Sequence, residues 1–246
     1  MHVLITGGSR GIGAATARLC AARGWDVSVN YVANAEAAAA VVAEVEAAGA
    51  RAVALQADMG EIDAAETLFD AAEAALGPVT GFVNNAGIVA KASMLADMEP
   101  ARVKRMIDVN VTGAILALRA AARRMPTDRG GPGGAIVNIS SAAARLGSPA
   151  TYVDYAASKG AIDTLTLGMA QELAKGGVRV NCVRPGIVET DIHLDSHGFD
   201  RAAQAGPSLP MGRAGRANEI AEAIVWLLSD AASYTSGALL DVAGAR

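Results

Sequence analysis

The chain has 246 residues and is 52% hydrophobic but only 4% aromatic, so its core must be built from Ala, Val, Leu and Ile, a composition suited to parallel strands under Ala-rich helices. Chains of this length commonly form one doubly wound α/β domain. A formal net charge of -4 provides no basic footprint for a polyanion, which argues against a nucleic-acid partner.

Short β-branched runs alternate with helical patterns along the chain. His2 to Thr6 reads as a first strand, Gly11 to Ala22 as a helix, and Asp26 to Tyr31 as a second strand after a turn at Gly24. Glu36 to Ala48 reads as a helix, Arg51 to Ala57 as a third strand, Ile62 to Leu76 as a helix stopped by Gly77-Pro78, and Val79 to Asn84 as a fourth strand. Glu99 to Val109 and Thr112 to Met125 are two further helices, and a Gly- and Pro-rich loop from Thr127 to Gly134 leads into a fifth strand, Ala135 to Ser140. Tyr152 to Ala174 is helical and Arg179 to Arg184 is a sixth strand. Pro185 to Gly215 breaks the rhythm with three prolines and five glycines, so a substrate lid loop is expected near residues 187–215. A helix, Glu219 to Leu228, and a closing strand, Ala238 to Val242, complete the chain. The pattern is α/β: a doubly wound parallel sheet, Rossmann-like, with helices on both faces, in a single domain over residues 1–246.

The chain enters its first strand at once, without the charged segment and apolar run of a signal peptide, and its apolar runs are too short to span a bilayer. A cytoplasmic protein with no membrane partner is expected. Cys20 and Cys182 stand outside any C-x-x-C or ligand spacing and read as small core residues. His2, His193 and His197 are too scattered for a ligand set, so no metal is expected.

Two local patterns carry chemistry. Thr6-Gly7-Gly8-Ser9-Arg10-Gly11-Ile12-Gly13 lies between the first strand and the first helix, where backbone N–H groups and the positive end of the helix dipole can receive a pyrophosphate. At the end of the second strand, an Asp or Glu would hydrogen-bond an adenosine ribose 2'-hydroxyl and repel a 2'-phosphate. Val29-Asn30-Tyr31 has no acid there, and Arg10 in the turn can pair a phosphate, so NADP is expected over NAD, with Asn30 at the ribose. Tyr155 and Lys159 are four apart on a helix and project from one face, where the ammonium favours the phenolate and brings a pKa of about 10 closer to neutrality. Ser141 ends the fifth strand on the carboxyl edge of the sheet, where its hydroxyl can bond a substrate oxygen; Ser140 competes for that role.

Thr-Gly-x-x-x-Gly-x-Gly at residues 6–13, Asn84-Asn85-Ala86-Gly87, Asn110 in Asn-Val-Thr-Gly, Ser141, Tyr155-x-x-x-Lys159 and Pro185-Gly186 occur in order along nearly the whole chain. In these residues it resembles the classical short-chain dehydrogenase/reductase family, and within it the 3-oxoacyl-carrier-protein reductases and bacterial glucose 1-dehydrogenases. The resemblance implies a catalytic tetrad of Asn110, Ser141, Tyr155 and Lys159, with hydride passing between a nicotinamide and a carbonyl or secondary alcohol and Tyr155 as general acid/base. It favours Ser141 over Ser140, and it gives the Asn110 backbone carbonyl a water that links Lys159 to solvent. The spacing from Ser141 to Tyr155 is about one residue longer than in many relatives. Cofactor contacts are implied for Gly7, Ser9, Arg10, Gly11, Ile12 and Gly13 in the turn, for Asn30 and Tyr31, for Asp58 and Met59, for Asn85, Ala86 and Gly87, for Tyr155 and Lys159, and for Pro185, Gly186, Val188 and Thr190. A catalytically silent dinucleotide-binding regulator is the alternative function, and the substrate stays open between a 3-oxoacyl thioester and a sugar or small alcohol. The resemblance also implies a homotetramer. Ile115, Leu116, Leu118, Ile162, Leu165 and Leu167 spread around more of their helices than covering one sheet face requires, so those helices are expected to form an interface.

Overall fold

In chain order the strands are β1 (His2–Ile5), β2 (Asp26–Tyr31), β3 (Ala52–Gln56), β4 (Gly81–Asn84), β5 (Gly134–Ile139), β6 (Val178–Pro185), β7 (Val188–Glu189), β8 (Gly215–Arg216) and β9 (Leu239–Val242). The α-helices are α1 (Gly11–Ala22), α2 (Ala35–Ala47), α3 (Ala64–Leu76), α4 (Pro100–Ile107), α5 (Ala114–Arg124), α6 (Ala143–Leu146), α7 (Val153–Leu173), α8 (Arg201–Ala205) and α9 (Ala217–Leu228). These come from a computed structural model, which describes residues 1–190 and 201–246.

Seven strands form one parallel sheet in the order β3-β2-β1-β4-β5-β6-β9. Val3 and Ile5 of β1 meet α1, α2 and α9 on one face through Ala17, Val41 and Ile224; Leu4 points to the other face, where Phe69 of α3, Leu118 of α5 and Ala170 of α7 close the core. Successive strand residues alternate faces, so strands covered on both sides must be apolar throughout, and β1 is fully buried. The alanines of α1 and α5 let the helices lie close to the sheet without aromatic filling. The strand order reverses between β1 and β4, and the crevice at the carboxyl ends of these two strands is where an open sheet of this type takes its ligands.

The expected strands and helices recur with ends shifted by a few residues, and three places differ in kind. The two middle helices are one continuous rod: a π-helical turn, Asp108–Gly113, joins α4 to α5. That wide turn absorbs one extra residue and keeps Met106, Asn110, Ala114 and Leu118 on one buried stripe. In an unbroken α-helix the twelve steps from Met106 to Leu118 would carry the side chain about 120° out of line; with one residue absorbed, the offset is about 20°. The helix α6 was not expected. The segment expected as an irregular lid has its two ends joined, because β7 pairs with β8 and Ile187 packs with Ala202 and Ala214. Residues 191–200 of that lid, with His193 and His197, lie outside the described residues. His2 is buried and structural, its ring nitrogens 2.8 Å from the Gly77 carbonyl and 2.9 Å from the Ser28 hydroxyl. Both cysteines are buried, and burial pushes each thiol up to about 12.

Candidate active site

The turn from β1 to α1 is bolted to the end of β4. The Thr6 hydroxyl accepts from the backbone N–H groups of Asn85 at 2.9 Å and Ala86 at 3.0 Å, and the Asn85 carboxamide donates to the carbonyls of Thr6 at 2.8 Å and Gly7 at 3.0 Å. Gly13 must be glycine: a Cβ there would lie 2.4 Å from the Gly7 carbonyl oxygen. Gly7 and Gly11 have φ of +62° and +53°, the left-handed region that glycine adopts without steric cost. Arg10, exposed, is the N-cap of α1 but caps no N–H with its side chain, and the first turn of α1 holds no acid. A rigid loop kept free of side chains, leading to an uncapped positive helix end, fits a pyrophosphate. Ser9 and Ile12 are half-buried beside it, and Thr190 touches Gly11, its methyl 3.3 Å from where a Cβ would stand.

The expectation that Asn30 reads the ribose is corrected. Its side chain is 1% exposed and spent inside the protein: Oδ1 accepts from Gly7 N–H at 3.1 Å, and Nδ2 donates to the carbonyls of Ala57 at 3.0 Å and Leu55 at 3.3 Å. Asn30 is a brace between the glycine turn and β3, and the residue half-exposed at this strand end is Tyr31. Met59 is similarly placed with its side chain in the core, leaving only its backbone for a ligand. Asp58 stays half-buried; burial pushes its carboxyl up, but the Gly60 N–H and the Arg105 guanidinium prevail and hold it below the usual range. The Asp58–Arg105 pair is 2.7 Å long.

A cleft opens beside the turn, with Ile12, Asn85, Gly87, Ser141, Tyr155, Lys159, Pro185, Gly186, Val188 and Thr190 on its walls. Of the four catalytic residues expected from sequence, Ser141, Tyr155 and Lys159 line it, whereas Asn110 lies buried behind them. Burial pushes the Tyr155 phenol above its ordinary value, and the neighbouring Ser141 hydroxyl draws it partly back. Lys159 does not reach the phenol oxygen directly. Its Nζ lies 5.7 Å from the Tyr155 ring centre and donates to the Ile139 carbonyl at 2.8 Å, while burial lowers its pKa to about 8 against the opposing pull of Cys182 and Asp163. The sequence expectation of an ammonium lowering the phenol pKa is therefore outweighed in this geometry by burial of the phenol. Ser140 is excluded from the cleft chemistry by its own bond, its hydroxyl donating to the Lys159 carbonyl at 3.0 Å, whereas Ser141 Oγ accepts from Ala143 N–H at 3.1 Å.

Asn110 sits in the π-helical turn with its side chain fully engaged. Oδ1 accepts from Ile88 N–H at 2.8 Å, and Nδ2 donates to the Ile88 carbonyl at 2.9 Å and to Ser158 Oγ at 3.1 Å. Gly87 allows Lys159 and Asn110 to approach, since a Cβ on it would lie 3.3 Å from Lys159 Nζ and 3.4 Å from Asn110 Oδ1. Sequence reasoning missed several supports. Thr6 was read only as part of the turn. Arg102 of α4 holds the start of α7 by two bonds to the buried Asp154, at 2.9 and 3.1 Å, next to Tyr155. Arg246 lines the cleft from the far end of the chain. None of these has a local signature, because each works through a partner distant in sequence.

Known proteins resemble the chain along nearly its whole length. The family profile described as Enoyl-(Acyl carrier protein) reductase matches residues 7–244. The chain is 49% identical over 243 residues to the uncharacterized oxidoreductase YgfF of Escherichia coli, covering 99% of this chain and 98% of that one. It is 41% identical over 249 residues to 3beta-hydroxysteroid dehydrogenase 1 of Eggerthella lenta, covering 98% and 92%. The crystal structure of a short chain dehydrogenase from Burkholderia cenocepacia in complex with NADP superposes with a TM-score of 0.89 at 36% identity, covering 98% of this chain and 96% of that one. Among the described residues no helix is long and apolar enough to cross a membrane. A seven-stranded parallel sheet, a glycine turn at its switch point and relatives of this closeness together make the chain an oxidoreductase of the short-chain dehydrogenase/reductase family, acting on alcohol or carbonyl groups.

Proposed function

We propose that this protein is an NADP(H)-dependent reductase and dehydrogenase of a small carbonyl or secondary alcohol, with Tyr155 as its acid and base. The observation that carries the reading is the convergence of Ser141, Tyr155 and Lys159 on one cleft, which Ile12 at the glycine turn also lines. A nicotinamide dinucleotide bound along that turn supplies or accepts the hydride. Tyr155 gives its proton to the carbonyl oxygen in reduction and takes one from the hydroxyl in oxidation. Ser141 hydrogen-bonds the same oxygen and steadies the charge that develops on it. Lys159, fixed by the Ile139 carbonyl, holds a positive charge near the phenol ring, and Asn110 fixes the loop at Ile88 beside it. Because burial keeps the phenol protonated near neutral pH, reduction starts from the required form and oxidation quickens as pH rises.

The preference for NADP(H) rests on the lack of an acid at Tyr31, on Arg10 beside the turn, and on the NADP held by the Burkholderia relative. Residues 187–215 serve as the lid over the substrate. A homotetramer is supported by Ile107, Ile115 and Leu167, large apolar side chains exposed on α4, α5 and α7; Leu118 and Ile162, expected at the same interface, lie in the core instead. Tyr155→Phe tests the central role. It should lower kcat at least about a hundredfold while NADPH binds as before, whereas retention of more than about a tenth of kcat overturns the assignment. A silent regulator would show no turnover in the parent protein across a panel of ketones and alcohols.

A further inference from the structure

The rod of α4 and α5 is joined to the helix that carries Tyr155 by two matching sets of bonds, and only one of them contains an expected catalytic residue. In the first, Asn110 Nδ2 donates to Ser158 Oγ at 3.1 Å, and that hydroxyl donates to the Tyr155 carbonyl at 2.7 Å. In the second, earlier on the rod, Arg102 donates from Nε and Nη2 to the two oxygens of Asp154, at 2.9 and 3.1 Å. Asp154 and Ser158 are four apart on α7, so the two sets grip one face of the helix, on either side of Tyr155 in sequence. Both sets also reach the loop after β4. Asn110 brackets the N–H and carbonyl of Ile88, and Arg102 donates from Nη1 to the Lys91 carbonyl. Val89, between these anchors, lines the cleft with Tyr155. Farther along the same loop, Ser93 N–H donates to the carbonyl of Thr151, just before α7, at 2.8 Å.

We propose that Arg102 and Asp154 are positioning residues, whose ion pair fixes the Tyr155 hydroxyl against the cleft wall at Val89. Neither touches the reacting atoms; they act through the first turn of α7, of which Tyr155 is the third residue. The first N–H groups of a helix have no intrahelical partner, so this turn frays more readily than the interior and gains most from an outside hold. The Asp154 side chain is 3% exposed and that of Arg102 16%. A pair so buried adds little net stability over well-packed apolar side chains, because desolvation offsets the attraction, whereas its planar two-bond geometry admits one arrangement. A displacement of about 1 Å at a reacting group costs about a hundredfold in rate, so a hold on this turn matters to turnover. That effect on turnover rests on Tyr155 being the acid and base; the effect on where the phenol sits does not.

Two variants test the pair. Arg102→Met/Asp154→Leu removes both charges together and leaves no lone buried ion, and Arg102→Lys keeps the charge without the planar fork. Each full-length protein is labelled with carbon-13 at tyrosine Cζ; the chain has four tyrosines, and Tyr155→Phe assigns the signal of Tyr155. In the NADP-loaded double variant that signal should move or split while those of Tyr31 and Tyr234 hold, and Arg102→Lys should give a smaller change. With NADPH and ethyl 3-oxobutanoate or 4-methylcyclohexanone, kcat of the double variant should fall about tenfold or more while its Kd for NADPH stays within about twofold of the parent's, and Arg102→Lys should recover part of the loss. A Tyr155 signal unmoved in every variant that folds overturns the proposal. So does a fall in kcat matched by an equal weakening of NADPH binding and a lower Tm, which marks a general loosening of the fold. A moved signal with the parent's kcat overturns it too where Tyr155→Phe is inactive. Where Tyr155→Phe keeps its turnover, the same moved signal upholds the positioning and refutes the catalytic role of Tyr155 instead.

Discussion

Lys159→Met should make the protein more stable near neutral pH even though it removes a charge that the proposed chemistry uses. Lys159 is 5% exposed, and burial brings the pKa of its ammonium from 10.5 to about 8, against the raising influence of Cys182 and Asp163. A lysine whose pKa is lower folded than unfolded binds fewer protons in the native state, so its unfavourable contribution is full below about 8 and fades as pH rises through about 10.5. At 1.36 kcal/mol per pKa unit, the charge costs the fold about 3 kcal/mol near pH 7. Methionine has similar length and no charge, but it loses the 2.8 Å bond to the Ile139 carbonyl, which costs about 1 kcal/mol. The net gain is about 2 kcal/mol, or a rise of about 4 °C in Tm for a chain of this size. Urea unfolding of both proteins at a series of pH values is the assay. The variant should lead near pH 7, lose its lead as pH rises, and fall about 1 kcal/mol behind the parent above pH 10.5, where only the missing hydrogen bond remains. A difference that is constant with pH, or a variant less stable at pH 7, would show that burial of this charge is not the controlling cost.

Tyr31→Asp should shift the ratio of kcat/KM toward NAD(H), since it sets a carboxylate at the half-exposed end of β2; an unchanged ratio would remove this position from the ribose. Asn30→Asp should lower Tm by several degrees, because a buried carboxylate would face the Leu55 and Ala57 carbonyls where an amide now donates, a cost of about 3 kcal/mol; thermal unfolding at the parent's Tm would contradict this. Gly13→Ala should weaken NADPH binding at least about tenfold as its Cβ displaces the Gly7 carbonyl, and fluorescence titration giving the parent's Kd would count against the rigid turn. Light scattering at micromolar protein should give four times the chain mass of 24.8 kDa, and a clean monomer would refute the assembly.

Much of the fold was legible because each strand of a doubly covered sheet is an apolar run and each helix is bounded by glycine, proline or a polar turn. The glycine turn and the Tyr155–Lys159 spacing were legible for a similar reason, since both are short patterns whose geometry follows from the element that carries them. Asn30 was misjudged because a strand end seen in sequence does not say which way its side chain faces; only the register against β3 and the position of Gly7 turn it inward. The phenol's environment was also out of reach, since burial of Tyr155 depends on Tyr152, which stacks edge-on to it with ring centres 5.5 Å apart, and on walls contributed by β5 and β6. The helix α6 was out of reach because its four residues, Ala143–Leu146, are too few to show a helical period; in the structure it is tied to the far end of the chain by the bond from Arg145 Nη2 to the Arg246 backbone oxygen.

The wide turn at Asp108–Gly113 makes chain length itself a functional variable. A one-residue deletion within it would give a regular helix and leave α4 and α5 in phase, because eleven α-helical steps also bring Met106 and Leu118 to within about 20° of one line. Met106 would stay in the core and Arg102 on its line to Asp154, and the cost would fall on the turn itself, where Asn110 holds Ile88. A deletion elsewhere in the rod would rotate the residues on one side of it by about 100° without touching any residue of the cleft. Single-residue gaps should therefore be accepted more readily within residues 108–113 than on either side, and a library of one-residue deletions across residues 100–124, scored for folding, would show intolerance flanking that segment.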